Sequence, residues 1–248
     1  MRHRKFKTWS RGAETKLQRI KLLPDTLKTL KITTKEMEDI KRDLRCNRRE
    51  RWENVVPVPK AGDMLAHACE VLENATVNEN YASLCCSLAL VSGRRCTEIL
   101  NQRSTFVINS KHTVIFSGQL KKSHGQSKPY TIPLLVDPKV FVAAMQVLRA
   151  KQGDISALSD EEVQKKYNGS LTPKRIEMAF WPGIPKFHFL RTCYAKFCDL
   201  LFTHTMTYNR LCCRVCGHVD ENESLNYCGA NLGDCDHLRD TFGPLRLE

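Results

Sequence analysis

The chain has 248 residues, 42% of them hydrophobic, enough for one good-sized domain with an appendage or for two small ones. Its longest apolar stretches, such as residues 140–148, fall short of a membrane span, and the Met-Arg-His-Arg-Lys start has no apolar run behind it, which argues against a membrane or secreted protein. The net charge of +12 is concentrated at one end: residues 1–60 hold 18 Lys and Arg against 8 Asp and Glu, and the rest of the chain is nearly balanced.

A basic arm ahead of a near-neutral body points to a nucleic-acid partner, with a solvated basic tail or binding to a ribosome or membrane surface as the plainer alternatives. The twelve cysteines do not form the framework of a small secreted domain. Reduced thiols in a cytoplasmic or nuclear setting are the expectation.

In chain order, Thr33-Thr34-Lys35-Glu36 predicts a helix start, continuing through Met37, Ile40 and Leu44 to about Trp52. Its basic end carries Lys41, Arg42, Arg45, Arg48, Arg49 and Arg51, suited to lie along phosphates. Val55-Val56-Pro57-Val58-Pro59-Lys60 reads as a linker. The expected domains are therefore a basic helical arm and linker over 1–60 and a globular body over 61–248.

Met64, Leu65, Ala68, Val71 and Leu72 keep helical spacing, and a second helix is predicted from Glu79 to about Leu100, interrupted at Gly93. Thr105–Ile108 and Thr113–Phe116 read as a hairpin around Asn109–His112, and Tyr130–Leu135 as a third strand. Further helices are predicted over 139–151, after the Ser159 cap, and from near His188 through Leu201. Residues 208–216 form a helix or a loop. The expected fold is α+β, mainly helical, with one small antiparallel sheet.

Four segments carry chemistry: Ser92-Gly93-Arg94-Arg95-Cys96-Thr97-Glu98, Gly118-Gln119-Leu120-Lys121-Lys122, His188-Phe189-Leu190-Arg191, and Gly217-His218 followed by Tyr227. Protein-mediated cleavage of a phosphodiester builds charge on the non-bridging oxygens. Arginine forks suit that charge because they donate paired hydrogen bonds and stay protonated. Such preorganised donors contribute about 2.7–4 kcal/mol each. A lysine on a hairpin loop can protonate the leaving alkoxide, and a tyrosine can carry the covalent link.

Gly93-Arg94-Arg95-Cys96-Thr97-Glu98 resembles the Gly-x-Arg-x-x-Glu box of tyrosine recombinases, with Arg95 as the matching arginine and Glu98 as its brace. Lys121 follows Arg95 by 26 residues, similar to that family's hairpin lysine. His188-Phe189-Leu190-Arg191 resembles its His-x-x-Arg box, and His218 with Tyr227 nine residues on resembles its final histidine and nucleophile. Within the superfamily the chain looks most like the telomere resolvases, through the double arginine, the Phe116–Lys121 string leading to Tyr130-Thr131-Ile132-Pro133, and Leu190–Ala195. Position 188 is histidine, as in integrases.

The resemblance implies that Tyr227 forms a 3′-phosphotyrosine and that Arg95, Arg191 and His218 hold the phosphate. It implies that Lys121 protonates the leaving 5′ oxygen and that His188 assists proton transfer. It further implies double-stranded DNA with palindromic or inverted-repeat sites as partner, a dimer or tetramer on DNA, no cofactor, and resolution of a palindromic telomere into hairpin ends. About sixty residues precede the body and 21 follow Tyr227, so neither a full core-binding domain nor an added C-terminal DNA-binding domain is expected.

Alternatives remain at each point. Arg95 and Glu98 could be a helix-surface ion pair. Lys122 and Lys128 rival Lys121, which is preferred because it directly follows the strand. His188 could be a core histidine. Tyr194 shares a helix with Arg191, and Tyr208 lacks a histidine nine residues before it, so both are weaker nucleophiles than Tyr227. Cys213, Cys216, Cys228 and Cys235 have spacing that a structural zinc could use, against the alternative of ordinary small core residues. The competing functions are an integrase or a type IB topoisomerase of the same chemistry, and a non-catalytic, zinc-stabilised DNA-binding protein.

Overall fold

The computed structural model describes residues 38–39, 55–119, 128–217, 229–233, 235, 238 and 245–246. The chain divides into two compact units, Met1–Arg49 and Glu50–Glu248. Of the first, Glu38 and Asp39 are described and are helical; the remainder of the predicted arm helix lies outside the described residues.

The second unit is organised around one helix. Strand β1 (Val56–Pro57) leads through Lys60 into α1 (Ala61–Glu73), and α2 (Tyr81–Ser92) follows. Asn80 starts α2 by accepting from the Ala82 and Ser83 amides through its side chain, at 2.9 and 3.4 Å. Every residue of α2 from Ala82 to Ser92 is buried, three serines among them, so this helix has no solvent face. It is covered by α1, by α4 (Pro138–Gln152), by α6 (Pro173–Ala179) and by α7 (Phe189–Leu201). Its wholly buried Leu84, Leu88 and Leu90 stabilise the fold by about 1.5–3 kcal/mol each.

Gly93 ends α2 at φ +64°. A short α3 (Cys96–Leu100) follows, so the predicted helix is interrupted at Gly93, where the sequence has Gly-Arg-Arg. Next come β2 (Thr105–Ser110), β3 (Thr113–Ser117) and β4 (Tyr130–Pro133), an antiparallel sheet in the order β2-β3-β4. Register pairs Phe106 with Phe116 and Phe116 with Tyr130. Their rings make a stacked and an edge contact with centroids 5.0 and 5.7 Å apart, which pins the register where one face is buried.

Helix α4 begins with an Asp137 cap and Pro138 at its first turn. Ser159 and Glu162 cap α5 (Asp160–Asn168) reciprocally. After α7 come β5 (Phe202–Thr203), α8 (Tyr208–Cys216), β6 (Ala230–Asn231) and β7 (Leu245–Arg246).

Contrary to expectation, the stretch that reads as a linker is part of the folded body: Val56 and Pro57 pair in parallel with Ala230 and Asn231. The Val56 and Val58 amides donate to the Gly229 and Asn231 carbonyls at 2.9 and 2.8 Å, Val58 is buried, and Trp181 Nε1 donates to the Pro59 carbonyl at 3.0 Å. Proline is tolerated because β1 is a two-residue edge whose other amides carry the pairing.

Candidate active site

The site starts from the break after α2. Ser92 folds back to donate to the Leu88 carbonyl at 2.6 Å, and Gly93 turns the chain in a left-handed conformation. A Cβ there would collide with the Tyr194 ring, so glycine is required twice over, for φ and for space. Arg94 and Arg95 occupy the break, and α3 begins behind them.

Glu98, on the first turn of α3, reaches back. Its carboxylate accepts from the Arg95 amide at 3.0 Å and from the Arg95 guanidinium at 2.7 Å. Arg191, one turn into α7, lies 3.8 Å from the other oxygen of the same carboxylate. Glu98 is wholly buried, so this is no surface pair. Burial opposes its ionisation. The guanidinium groups of Arg94, Arg191 and Arg95, with the Arg95 amide, override burial and hold its carboxyl below the ordinary value. Two separate sequence boxes therefore meet at one carboxylate.

Arg191 also donates to the Gly93 and Cys216 carbonyls, at 2.6 Å each. Arg94 is fully buried and donates to the Val215 carbonyl at 2.7 Å and to the Tyr130 hydroxyl. Its guanidinium lies over the Phe116 and Tyr130 rings, 5.1 and 5.5 Å from their centroids. The Tyr130 hydroxyl in turn reaches the Cys216 carbonyl at 3.4 Å. Gln119 donates to the Gly217 carbonyl. Helix α8 thus ends with the carbonyls of Val215, Cys216 and Gly217 all engaged, by Arg94, by Arg191 with Tyr130, and by Gln119. These are the last-turn acceptors that a helix leaves open. Gly217, at φ +68°, closes the helix where a Cβ would strike the Tyr130 hydroxyl.

Arg95 is partly exposed at the head of α3, and Arg191 is buried beneath it. His188 is exposed at the head of α7, and its carbonyl accepts the Arg191 amide at 3.3 Å. Lys121, Lys122, His218, Tyr227 and Cys228 lie outside the described residues. Their described neighbours do converge: Gln119, two residues before Lys121, bonds Gly217, the residue before His218. Lys128 is exposed at the approach to β4.

Tyr194 is fully buried and donates to the Pro133 carbonyl at 2.8 Å, and burial raises its hydroxyl well above the ordinary value. Tyr208 sits under the Lys196 ammonium, 4.0 Å from ring centroid to nitrogen. It starts α8, about 12 Å along the helix from the Cys216 end. Neither has the setting of a nucleophile. Among the described residues no three His, Cys, Asp or Glu side chains are grouped to hold a metal ion. Cys216 and Cys235 are buried, and Cys213 is half-buried on α8.

Reasoning from sequence missed Arg94, Tyr130 and Gln119 as parts of this arrangement. The double arginine and the Gly-Gln pair stood out as motif letters, but nothing in their spacing revealed that one arginine is buried against a helix end.

Residues 61–229 match the family model described as the telomere resolvase ResT/TelK catalytic domain. The protelomerase of Escherichia phage N15 is 29% identical over 253 aligned residues, covering 90% of this chain and 39% of that protein. The chain therefore spans about two fifths of the length of that curated relative. Among solved structures, protelomerase TelK complexed with substrate DNA superposes with a TM-score of 0.68 at 23% identity, over 84% of this chain and 44% of its own. A TelA protelomerase variant covalently complexed with substrate DNA gives a TM-score of 0.70 at 21% identity, over 87% and 71%. A TelA mutant complexed with DNA hairpin product gives 0.66 at 20% identity, over 87% and 71%. No described helix is long and apolar enough to cross a membrane.

Proposed function

The chain belongs to the ResT/TelK telomere resolvase catalytic-domain family, and from that premise we propose that it breaks and rejoins double-stranded DNA through a tyrosine nucleophile. The observation that carries this reading is the meeting of Arg95 and Arg191 at the Glu98 carboxylate, with Arg191 also bonded to the carbonyl of Cys216, two residues before His218.

The Tyr227 hydroxyl attacks the phosphorus of a phosphodiester, giving a 3′-phosphotyrosine and a free 5′-hydroxyl. Arg95 and Arg191 hold the non-bridging oxygens, oriented by Glu98, and His218 adds a hydrogen bond. Lys121 gives a proton to the departing 5′ oxygen, and His188 assists proton transfer near the nucleophile. The phosphotyrosine conserves the energy of the broken bond. Attack by a 5′-hydroxyl on that link reseals DNA and returns the tyrosine. Every group in this sequence is a side chain of the protein, without metal or nucleotide.

The proposed substrate is a palindromic or inverted-repeat duplex, cut on both strands and resealed as hairpin ends by a dimer or tetramer on DNA. Residues 1–49 supply additional phosphate contacts, and the unit that starts at Glu50 forms the catalytic body. A TelA relative solved with hairpin product supports the hairpin outcome over strand exchange.

Incubation with nicked suicide duplexes tests the reading. A covalent adduct that disappears in Tyr227→Phe is expected. An adduct that survives the substitution, or no adduct on any inverted-repeat duplex from a randomised pool, overturns it. Hairpin product from one palindromic duplex, rather than joining of two duplexes, separates a resolvase from an integrase.

A further inference from the structure

We infer that Arg94 is a positioning residue that works through its charge: sealed beside Arg95 and Arg191, it touches no DNA but supplies positive field that seats the scissile phosphate and favours its transition state. The inference rests on the proposed cleavage chemistry at Arg95 and Arg191.

The two successive arginines are placed differently. Arg95 keeps 14% of its side chain exposed and is braced by the Glu98 carboxylate at 2.7 Å. Arg94 is 1% exposed, and each of its three nitrogens donates inward. Nε bonds the Ser92 carbonyl at 3.1 Å, one terminal nitrogen bonds the Val215 carbonyl at 2.7 Å, and the other bonds the Tyr130 hydroxyl. The Phe116 and Tyr130 rings lie against its guanidinium plane. A group held in this way cannot swing out to a ligand.

All three acceptors are neutral. A buried cation carries a desolvation cost that a neutral donor of similar length would avoid. Burial opposes the Arg94 charge, Tyr130 and Glu98 favour it and Arg191 repels it; the guanidinium stays protonated. One carboxylate offsets one positive charge, and Glu98 makes its direct contacts with Arg95 and Arg191. Arg94 thus adds a positive charge at a buried position, where little water screens it. A fixed charge of this kind lowers the energy of a transition state that gains negative charge, with no reorganisation at the moment of reaction.

In the step affected, the tyrosine oxygen–phosphorus bond forms as the phosphorus–5′ oxygen bond breaks. The departing oxygen takes the bonding pair and a proton, and neither passes through Arg94. A phosphodiester brings one negative charge to the site, and its pentacoordinate transition state carries two. Replacing a non-bridging oxygen with methyl removes one charge from each. The field then acts on one charge in the transition state instead of two. Loss of the Arg94 charge should therefore be felt half as strongly on a logarithmic scale, whereas loss of shape or of hydrogen bonding would be felt equally on both substrates.

The test uses the full chain and a nicked duplex recovered from a randomised inverted-repeat pool by covalent capture on the wild-type protein, resynthesised with phosphate or methylphosphonate at the scissile position. Arg94→Gln and Arg94→Met remove the charge, the first keeping a donor. Arg94→Lys keeps the charge and loses the three-way bonding. Relative to wild type on the same substrate, single-turnover adduct formation by the neutral variants should slow by about 100-fold on phosphate and about tenfold on methylphosphonate. Arg94→Lys should recover about tenfold or more of the loss on phosphate. Duplex affinity should change by less than about threefold in all three variants, because a single phosphate is a small part of the electrostatic binding.

Neutral variants as fast as wild type, or equally slowed on both substrates, overturn the inference. So does an Arg94→Lys rate as low as theirs. Failure of both neutral variants to unfold cooperatively in urea overturns it as well, because the charge would then serve the fold. Absence of any covalent adduct with the wild-type chain overturns the strand-cleavage reading itself, which distinguishes the two failures.

Discussion

Arg191 bridges the Gly93 and Cys216 carbonyls with its two terminal nitrogens, 2.6 Å from each, so a single guanidinium spans the end of α2 and the end of α8. A lysine has one nitrogen and cannot span both. Arg191→Lys should therefore lose activity nearly as fully as Arg191→Ala. Loss of a preorganised donor of this kind costs about 2.7–4 kcal/mol of transition-state stabilisation, or roughly 100- to 1000-fold in rate. Single-turnover adduct formation checks this, with DNA affinity measured in parallel. A Lys variant within tenfold of wild type would contradict the bridging role.

Glu98→Gln should destabilise the fold by about 3–5 kcal/mol, because it leaves buried guanidinium groups beside a neutral amide. The sign with pH follows from the depressed carboxyl. The Glu98 contribution is fully present above its ordinary value of 4.5 and is lost as pH falls through the lower folded value. Urea unfolding of wild type and Glu98→Gln should give a stability gap at neutral pH that narrows on acidification below 4.5. A gap that does not change with pH would show that charge is not its source.

Gly93 lies in the left-handed region, at φ +64° and ψ 19°, and a Cβ there would meet the Tyr194 ring. Gly93→Ala should cost about 1–2 kcal/mol from backbone strain and about 1–3 kcal/mol more from overpacking. Chemical denaturation measures the sum. A variant within about 0.5 kcal/mol of wild type would contradict the close approach.

Arm deletions should divide at β1. Removing residues 1–49 should flatten the dependence of DNA binding on salt, since the slope falls by about 0.9 for every phosphate that the arm no longer neutralises. Covalent chemistry on a captured duplex should persist. Removing residues 1–60 also takes away β1, the partner of β6, and should abolish cleavage as well. Salt titrations and adduct assays on both truncations give the comparison. Equal cleavage by the two would deny β1 a part in holding the segment after Tyr227.

Cys96 and Cys193 should resist alkylation in the native protein. Burial raises their thiols to about 12, leaving little thiolate at neutral pH. Mass spectrometry after a short iodoacetamide pulse should find them unmodified until denaturant is added.

Most of the helices were legible because their apolar residues recur at helical spacing, and Asp137 and Ser159 stand where a helix begins; the short α6 was not, because seven residues carry too little of that period. The three strands were legible from their β-branched and aromatic runs. The β1–β6 pairing was not, because two residues carry no period and Val-Pro-Val-Pro has the look of a tether. The candidate site divided along the same line. Arg95, Glu98 and Arg191 followed from motif spacing. Arg94 and Gln119 depend on partners 121 and 98 residues away in the chain, and no local pattern carries such distances. Lys121, Lys122 and the Tyr227 segment lie outside the described residues.

The engagement of α8 by Arg94, Arg191, Tyr130 and Gln119 bears on when the chain becomes dangerous to DNA. Each of these bonds joins parts of the chain that are made at different times during synthesis, and α8 follows α1 to α7 in the chain. Non-local contacts of this kind close late in folding. On the proposed chemistry, a nascent or half-folded chain would hold its arginines apart from the segment that carries the tyrosine. It would have nothing with which to cut. Competence to break a genome would then arrive only with the finished fold, which acts as its own safety catch.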